Sequence, residues 1–151
     1  MRKLFSQELK NLMHENDDIY LLLGGVGYGF YETNDRILNC EASEQAMVDI
    51  AVGLAMKGKI PFVYAITPHL YRAFEGIRIY LDYYQIPVKL VGIGRNKDYT
   101  TLGFTHWGHD DYEVFGVFKN IEKRWPVKEE IPSLLREVVS TKKPYYINLA
   151  R

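Results

Sequence analysis

The sequence has 151 residues, a length that suits one domain with a buried core. Apolar residues make up 47% and aromatics 14%, which excludes extensive disorder. Lys and Arg total 19 against 19 Asp and Glu, so neither nucleic acid nor an anionic membrane surface is an expected partner. The one cysteine, Cys40, excludes an internal disulfide and any multi-cysteine metal centre, and it fits a reducing, cytoplasmic setting. Charges begin at Arg2, too early for a signal-peptide apolar region. The longest apolar stretch, 19–30, is broken by glycines and too short to span a bilayer, so no membrane role is expected.

Leu4, Phe5, Leu9, Leu12 and Met13 lie on one face of a first helix. Residues 19–23 (IYLLL) predict a strand buried on both faces, running into the turn Gly24-Gly25-Val26-Gly27-Tyr28-Gly29. A second strand is predicted at 36–40, and a helix from Ser43 to about Lys57 with Gly58 as its stop. Residues 61–66 (PFVYAI) predict a third strand. Thr67-Pro68 then reads as a helix start, with Thr67 as cap and the apolar stripe Leu70, Ala73, Phe74, Ile77, Leu81, Tyr84 behind it. A fourth strand at 87–93 leads into a long loop, 94–108. Helices at 110–118 and 127–140, with a short element between them, precede a last strand at 143–149. Strands alternating with helices predict an α/β domain with a mainly parallel sheet. Ligands of such sheets bind beyond the carboxyl ends of the strands, here the glycine turn, 40–44, 66–69 and 94–108.

The glycine turn is a weak nucleotide signal. The third glycine of a dinucleotide fingerprint would fall on Phe30, so positive φ is the simpler reason for these glycines. Ser43 is placed to cap the second helix and Glu44 to sit in its first turn, where a carboxylate favours the helix dipole. That helix is rich in small residues (Ala46, Ala51, Gly53, Ala55), which predicts close packing on a helix of this chain or another. His69 and Arg72, three residues apart, share a face, the plainer use of Arg72 being a pair with Glu75. His106 and His109 lack a third ligand of evident spacing, so no metal site is expected, and Asp110 is a candidate cap for the next helix.

The run 39–55 (NCEASEQAMVDIAVGLA) resembles the pyrimidine-binding domain of the transketolase family, whose pattern is Asn-x-Gly-Ile-Ala-Glu-Gln-x-Met-Val-x-x-Ala-x-Gly-x-Ala. The turn and strand 58–62, Arg72-Ala73-Phe74-Glu75-Gly76-Ile77-Arg78, Gly103-Phe104-Thr105-His106 and the final strand 143–151 are similar to later parts of that domain, in order, over nearly the whole chain. The resemblance implies a three-layer α/β/α thiamin diphosphate-binding fold. It implies that Glu44 hydrogen-bonds a ring nitrogen of the aminopyrimidine in an enclosed site and favours the tautomer that removes the thiazolium proton. By the same match His106 contacts the sugar donor, and Ile66, His69 and Arg72 lie around the pyrimidine ring.

Several positions depart from the pattern. Ile66 and His69 replace aromatics around the ring. Gly25 stands where many members have an aspartate after the first strand, Leu102 where some have an acid, and Glu41 replaces a small residue near Glu44. The Gly-Asp-Gly and downstream Asn that hold diphosphate and magnesium in the family do not occur in the sequence, nor does the family's carboxy-terminal domain. The resemblance therefore implies one pyrimidine-binding domain of a split enzyme, a homo- or hetero-oligomer, inactive alone. A partner chain would hold diphosphate and magnesium, with thiamin diphosphate shared between them and a two-carbon ketol unit passed between sugar or ketone substrates. A 2-oxo acid decarboxylase or deoxyxylulose phosphate synthase-like enzyme, and a non-catalytic interaction protein, are the alternatives.

Overall fold

A computed structural model describes residues 1–151. Six strands form one sheet: β1 (Ile19–Gly24), β2 (Ile37–Asn39), β3 (Ile60–Ile66), β4 (Lys89–Ile93), β5 (Glu122–Arg124) and β6 (Tyr145–Leu149). They run in the order β2-β1-β3-β4-β6-β5, every pair parallel. The expected parallel α/β architecture is what the chain adopts.

Side-chain alternation divides the core into two layers. Leu21, Leu23, Phe62, Tyr64, Ile66, Val91 and Ile147 face α1 (Arg2–Glu15) and α5 (Ile131–Ser140), which supply Phe5, Leu9, Leu134 and Leu135. Leu22, Val63, Ala65, Leu90 and Tyr146 face α2 (Glu44–Met56) and the helical run 67–83 on the other side. The central strands β1, β3, β4 and β6 are buried on both faces, which is why their sequences read as largely apolar runs, whereas the edge strands β2 and β5 are not. No helix is long and apolar enough to cross a membrane.

The run 67–83 differs from the α-helix its stripe suggests. Thr67–Ala73 winds as a 3₁₀ helix, Phe74–Gly76 makes one α turn (α3), and Ile77–Tyr83 opens into a π-helix. A Cβ on Gly76 would meet Gln45 Nε2 at 2.8 Å, so the run passes α2 closely there. Ala51 and Ala55 of α2 are buried while Ala46 and Gly53 face outward. Three expected caps, Ser43, Asp110 and Thr67, make no side-chain cap bond. Ser43 precedes α2 without a side-chain cap bond, and Asp110, ahead of α4 (Asp111–Gly116), instead accepts from Tyr71 OH at 2.8 Å. Thr67 is fully buried inside the 3₁₀ turn, which Ile66 precedes.

Beneath that turn lies a buried polar network. Asp111 Oδ2 accepts from Tyr146 OH (2.7 Å), Asn148 Nδ2 (2.7 Å) and Trp125 Nε1 (2.8 Å). Asn148 Nδ2 also reaches Thr67 Oγ1 at 3.2 Å, while Asn148 Oδ1 accepts from Arg95 Nε at 3.1 Å. Removing the carboxylate would leave the Tyr146 hydroxyl and Trp125 Nε1 without an acceptor, while Asn148 Nδ2 keeps Thr67 Oγ1. Asp111→Ala is therefore expected to lower the unfolding free energy by about 3 kcal/mol in urea denaturation; a loss below about 1 kcal/mol would show that the network does not stabilise the fold.

Candidate functional site

The chain leaves β1 first toward β2 on one side of it, then toward β3 on the other. That reversal opens a crevice at the carboxyl ends of β1 and β3, the usual ligand position in open α/β sheets. Three connections deliver side chains there. α2 begins at Glu44 just after β2, the 3₁₀ turn Thr67–Ala73 follows β3, and the loop 94–108 follows β4.

Glu44 is 1% exposed. Its Oε2 accepts from Arg72 Nη1 at 3.0 Å, a charge-assisted bond. Its Oε1 is buried with no hydrogen-bond partner. His69 Nδ1 lies 3.6 Å from that oxygen, beyond hydrogen-bond reach. Burial, and then the Arg72 charge, hold the His69 imidazole below its ordinary pKa despite the opposing pull of Glu44. It is thus neutral at pH 7 and the 3.6 Å contact is not an ion pair. Residues i and i+3 eclipse in a 3₁₀ helix, and this winding lines up His69 and Arg72 on the edge that faces Glu44.

His106 completes the group. It ends the 3₁₀ turn Phe104–His106, and its ring meets the His69 ring edge-on at 5.0 Å and the Tyr99 ring at 6.1 Å. Glycine is required where this loop closes. A Cβ on Gly108 would lie 2.6 Å from Gly94 O and 2.7 Å from Thr67 Cγ2, so the loop returns directly onto the turn that carries His69. Tyr99 is held in turn by Arg2, whose Nη1 donates to its hydroxyl at 3.1 Å.

Four of the five expected site residues, Glu44, His69, Arg72 and His106, therefore stand together. The fifth, Ile66, shares the strand end but packs into the core on the α1 and α5 side. Arg72 pairs with Glu44 and not with Glu75. His109 contacts the Phe104 and Trp107 rings, and no three His, Cys, Asp or Glu side chains are grouped as a metal site. Tyr99, Asp111 and Asn148 support the site without having stood out in the sequence. Only the adjacent Asp110-Asp111 pair carried any signal, and it did not say which carboxylate turns inward.

Glu44 and Arg72 line an open cleft of about 400 Å³ with Ser43, Gln45 and Asp49. A larger one, about 450 Å³, lies between α1 and residues 28–37 and includes none of the five. Chemistry, not volume, decides between them: a buried carboxylate with a free oxygen is costly unless something uses it.

The His69 shift makes a prediction about acid. Between the lowered folded pKa and the unfolded value near 6.5, the unfolded chain binds more protons, so stability rises with pH. The expected outcome is that the His69 contribution is intact above about pH 6.5 and declines as pH falls toward the folded pKa. In urea titrations across that range, His69→Gln should show a flatter pH dependence than the natural chain. A folded-state midpoint for His69 at or above about 6.5 by NMR would contradict it.

Comparison with known proteins gives the site its setting. Residues 1–151 match the family described as transketolase, pyrimidine-binding domain. One of the subunits of the apulose-4-phosphate transketolase of Phocaeicola vulgatus is 28% identical over 99% of this chain and 51% of its own. A 1-deoxy-D-xylulose-5-phosphate synthase of Corynebacterium glutamicum is 28% identical over 91% of this chain and 23% of its own. The chain thus spans about half the length of the first relative and under a quarter of the second. Among solved structures, a split-gene transketolase described as an inactive beta4 tetramer superposes with a TM-score of 0.85 at 24% identity, over 99% of this chain and 50% of that one. The chain belongs to the transketolase pyrimidine-binding domain family, whose enzymes use thiamin diphosphate and a metal ion.

Proposed function

We propose that this chain is the pyrimidine-binding part of a split, transketolase-like enzyme that transfers a two-carbon ketol unit between sugars. A partner chain holds the diphosphate and magnesium, and thiamin diphosphate lies between the two. The observation that carries the proposal is the Glu44 carboxylate, 1% exposed, with Oε2 on Arg72 and Oε1 unpartnered. The Phocaeicola vulgatus relative is named as one subunit of a transketolase, which supports the split arrangement.

The residues fit the aminopyrimidine end of the cofactor. A buried carboxyl oxygen without a partner suits a ring nitrogen with which it can share a proton. When bound, thiamin diphosphate supplies a nucleophilic carbon to which the two-carbon unit can be attached. The chain's own residues do the rest. Glu44 holds the proton at Oε1. Arg72 fixes the carboxyl plane through Oε2, leaving Oε1 to the ligand. His69, with Nδ1 at 3.6 Å, stands beside that oxygen without bonding it. His106, resting edge-on against the His69 ring, is placed at the loop side of the crevice to meet donor hydroxyls. The sequence has no Gly-Asp-Gly, and no side chains here are grouped for a metal, so the proposal assigns diphosphate and magnesium to the partner.

A second reading, ketol transfer from pyruvate, draws on the likeness to the Corynebacterium glutamicum synthase. A donor screen on the assembled complex, ketose phosphates against pyruvate, separates the two. The proposal itself is tested by co-purifying the tagged chain with its partner in thiamin diphosphate and magnesium. Glu44→Gln is expected to lower turnover about a thousandfold, the scale of a lost proton-transfer group, with the complex still eluting intact on gel filtration. Turnover within a few-fold of the natural complex would overturn the role of Glu44. Turnover independent of thiamin diphosphate would favour the non-catalytic alternative for this chain.

A further inference from the structure

Glu41 sits in a backbone conformation that side chains avoid, with φ at +49°. Such strain in an exposed residue persists when the surroundings fix it, and it clusters at functional sites. Here the side chain is held from two directions. Asn39 Nδ2 donates to Oε1 at 2.7 Å and the Tyr28 hydroxyl donates to Oε2 at 2.8 Å. The Asn39 side chain also accepts from the Glu41 backbone N–H at 3.2 Å.

These bonds place the carboxylate over Gly25, the first residue past β1. A Cβ built on Gly25 would stand 3.9 Å from Glu41 Oε2. Two departures from the family pattern, a glycine where many members have an aspartate and a glutamate where they have a small residue, thus meet at one place. Glu41, three residues before Glu44, brings a carboxylate from the end of β2 to the end of β1.

The fixed carboxylate has a definite chemistry. The Tyr28 and Asn39 bonds hold it below the usual carboxylate range, so it is ionised near neutral pH. An ionised carboxylate only accepts hydrogen bonds, and with two taken it retains lone pairs for more donors. It therefore suits hydroxyl groups and repels phosphate.

The geometry points to Glu41 as a specificity-determining residue, which binds the hydroxyl-bearing part of a sugar donor and, through Tyr28, pins the turn 25–31 that follows β1. The donor-binding role rests on the function proposed above; the pinning does not.

Two measurements test it. On the chain alone, hydrogen exchange at the Phe30 and Tyr31 amides, both bonded to Gly27 O, is expected to quicken at least about threefold in E41G and in Y28F, on the order of what loss of one exposed bond allows. Unchanged exchange overturns the pinning. Exchange that rises across the whole chain with a fall in the thermal midpoint overturns it too, since Glu41 would then be a general structural residue. In the assembled complex with a ketose phosphate donor, E41G is expected to raise KM about tenfold with kcat within about twofold. An unchanged KM overturns the donor role. If the natural complex transfers no ketol unit, the proposed function fails and the donor role falls with it, while the exchange measurement still decides the pinning.

Discussion

A carboxylate taken out of water with one oxygen bonded and the other free is the constraint on which the arrangement of this chain turns. Burying such a charge is unfavourable unless its surroundings compensate; at Glu44 two features compensate and a third encloses the free oxygen. The helix α2 begins there, so the positive end of its dipole faces the carboxylate. Arg72 donates to Oε2 across 3.0 Å. His69 Nδ1, 3.6 Å away, encloses Oε1 without satisfying it. The last two depend on a 3₁₀ turn, and the turn depends on Thr67 being seated against Asn148 and Gly108. Asn148 in turn is tied to Asp111 and to Arg95. The sheet end, the loop and the helix start are thus mechanically linked through one polar network, although only Glu44, His69, Arg72 and His106 face the crevice.

Most of the fold was legible in the sequence because every central strand is buried on both sides and therefore written as a plain apolar run. The winding of 67–83 was not. Of its expected stripe, Phe74 and Tyr84 are exposed, and the buried members Leu70, Ala73, Ile77 and Leu81 step by three, then four, then four. A 3₁₀ segment followed by a π segment averages close to the α period, so periodicity cannot separate the two cases. In space the first step belongs to the tight turn that aligns His69 with Arg72, and the last to the wide π winding, where Tyr84 N reaches back to Ile79 O. Position within the stripe was readable. The change of pitch, which delivers two side chains to one carboxylate, was not.

The site shows the same division. Strand-end logic places Glu44, His69, Arg72 and His106 at one edge of the sheet, because parallel strands put all their carboxyl ends together. Which of them touch is a matter of packing. Arg72 had Glu75 three residues away in sequence, yet the tight turn points it to Glu44, across 28 positions of chain. Ile66 failed to join the group through strand parity. It shares a face with Phe62 and Tyr64, whereas α2 covers the face of Val63 and Ala65. Alternation along β3 was evident from its sequence, but which face α2 would cover was set by the topology. Asp111 and Asp110 are adjacent and chemically alike. Only the meeting of Trp125, Tyr146 and Asn148, from two distant parts of the chain, selects Asp111 for burial.

The open side of the site carries its own argument. Arg72 is bonded to a buried carboxylate while 55% of its side chain faces solvent, so the guanidinium is only half withdrawn from water. Leu102 and Phe104, on the loop that bears His106, are exposed, as is Ile50 on the outer face of α2. A surface laid over this side would remove water from Arg72, and the Arg72–Glu44 bond would strengthen as the local dielectric fell. Under the proposed function that surface is the partner chain, and the cofactor lies between the two. Cofactor binding and subunit assembly then become one coupled equilibrium. Any factor by which thiamin diphosphate tightens the assembly is the factor by which assembly tightens thiamin diphosphate. A lone Glu44 site is weak for the same reason that a completed one is strong, because its free oxygen and its half-solvated arginine are both resolved by the same act of closure.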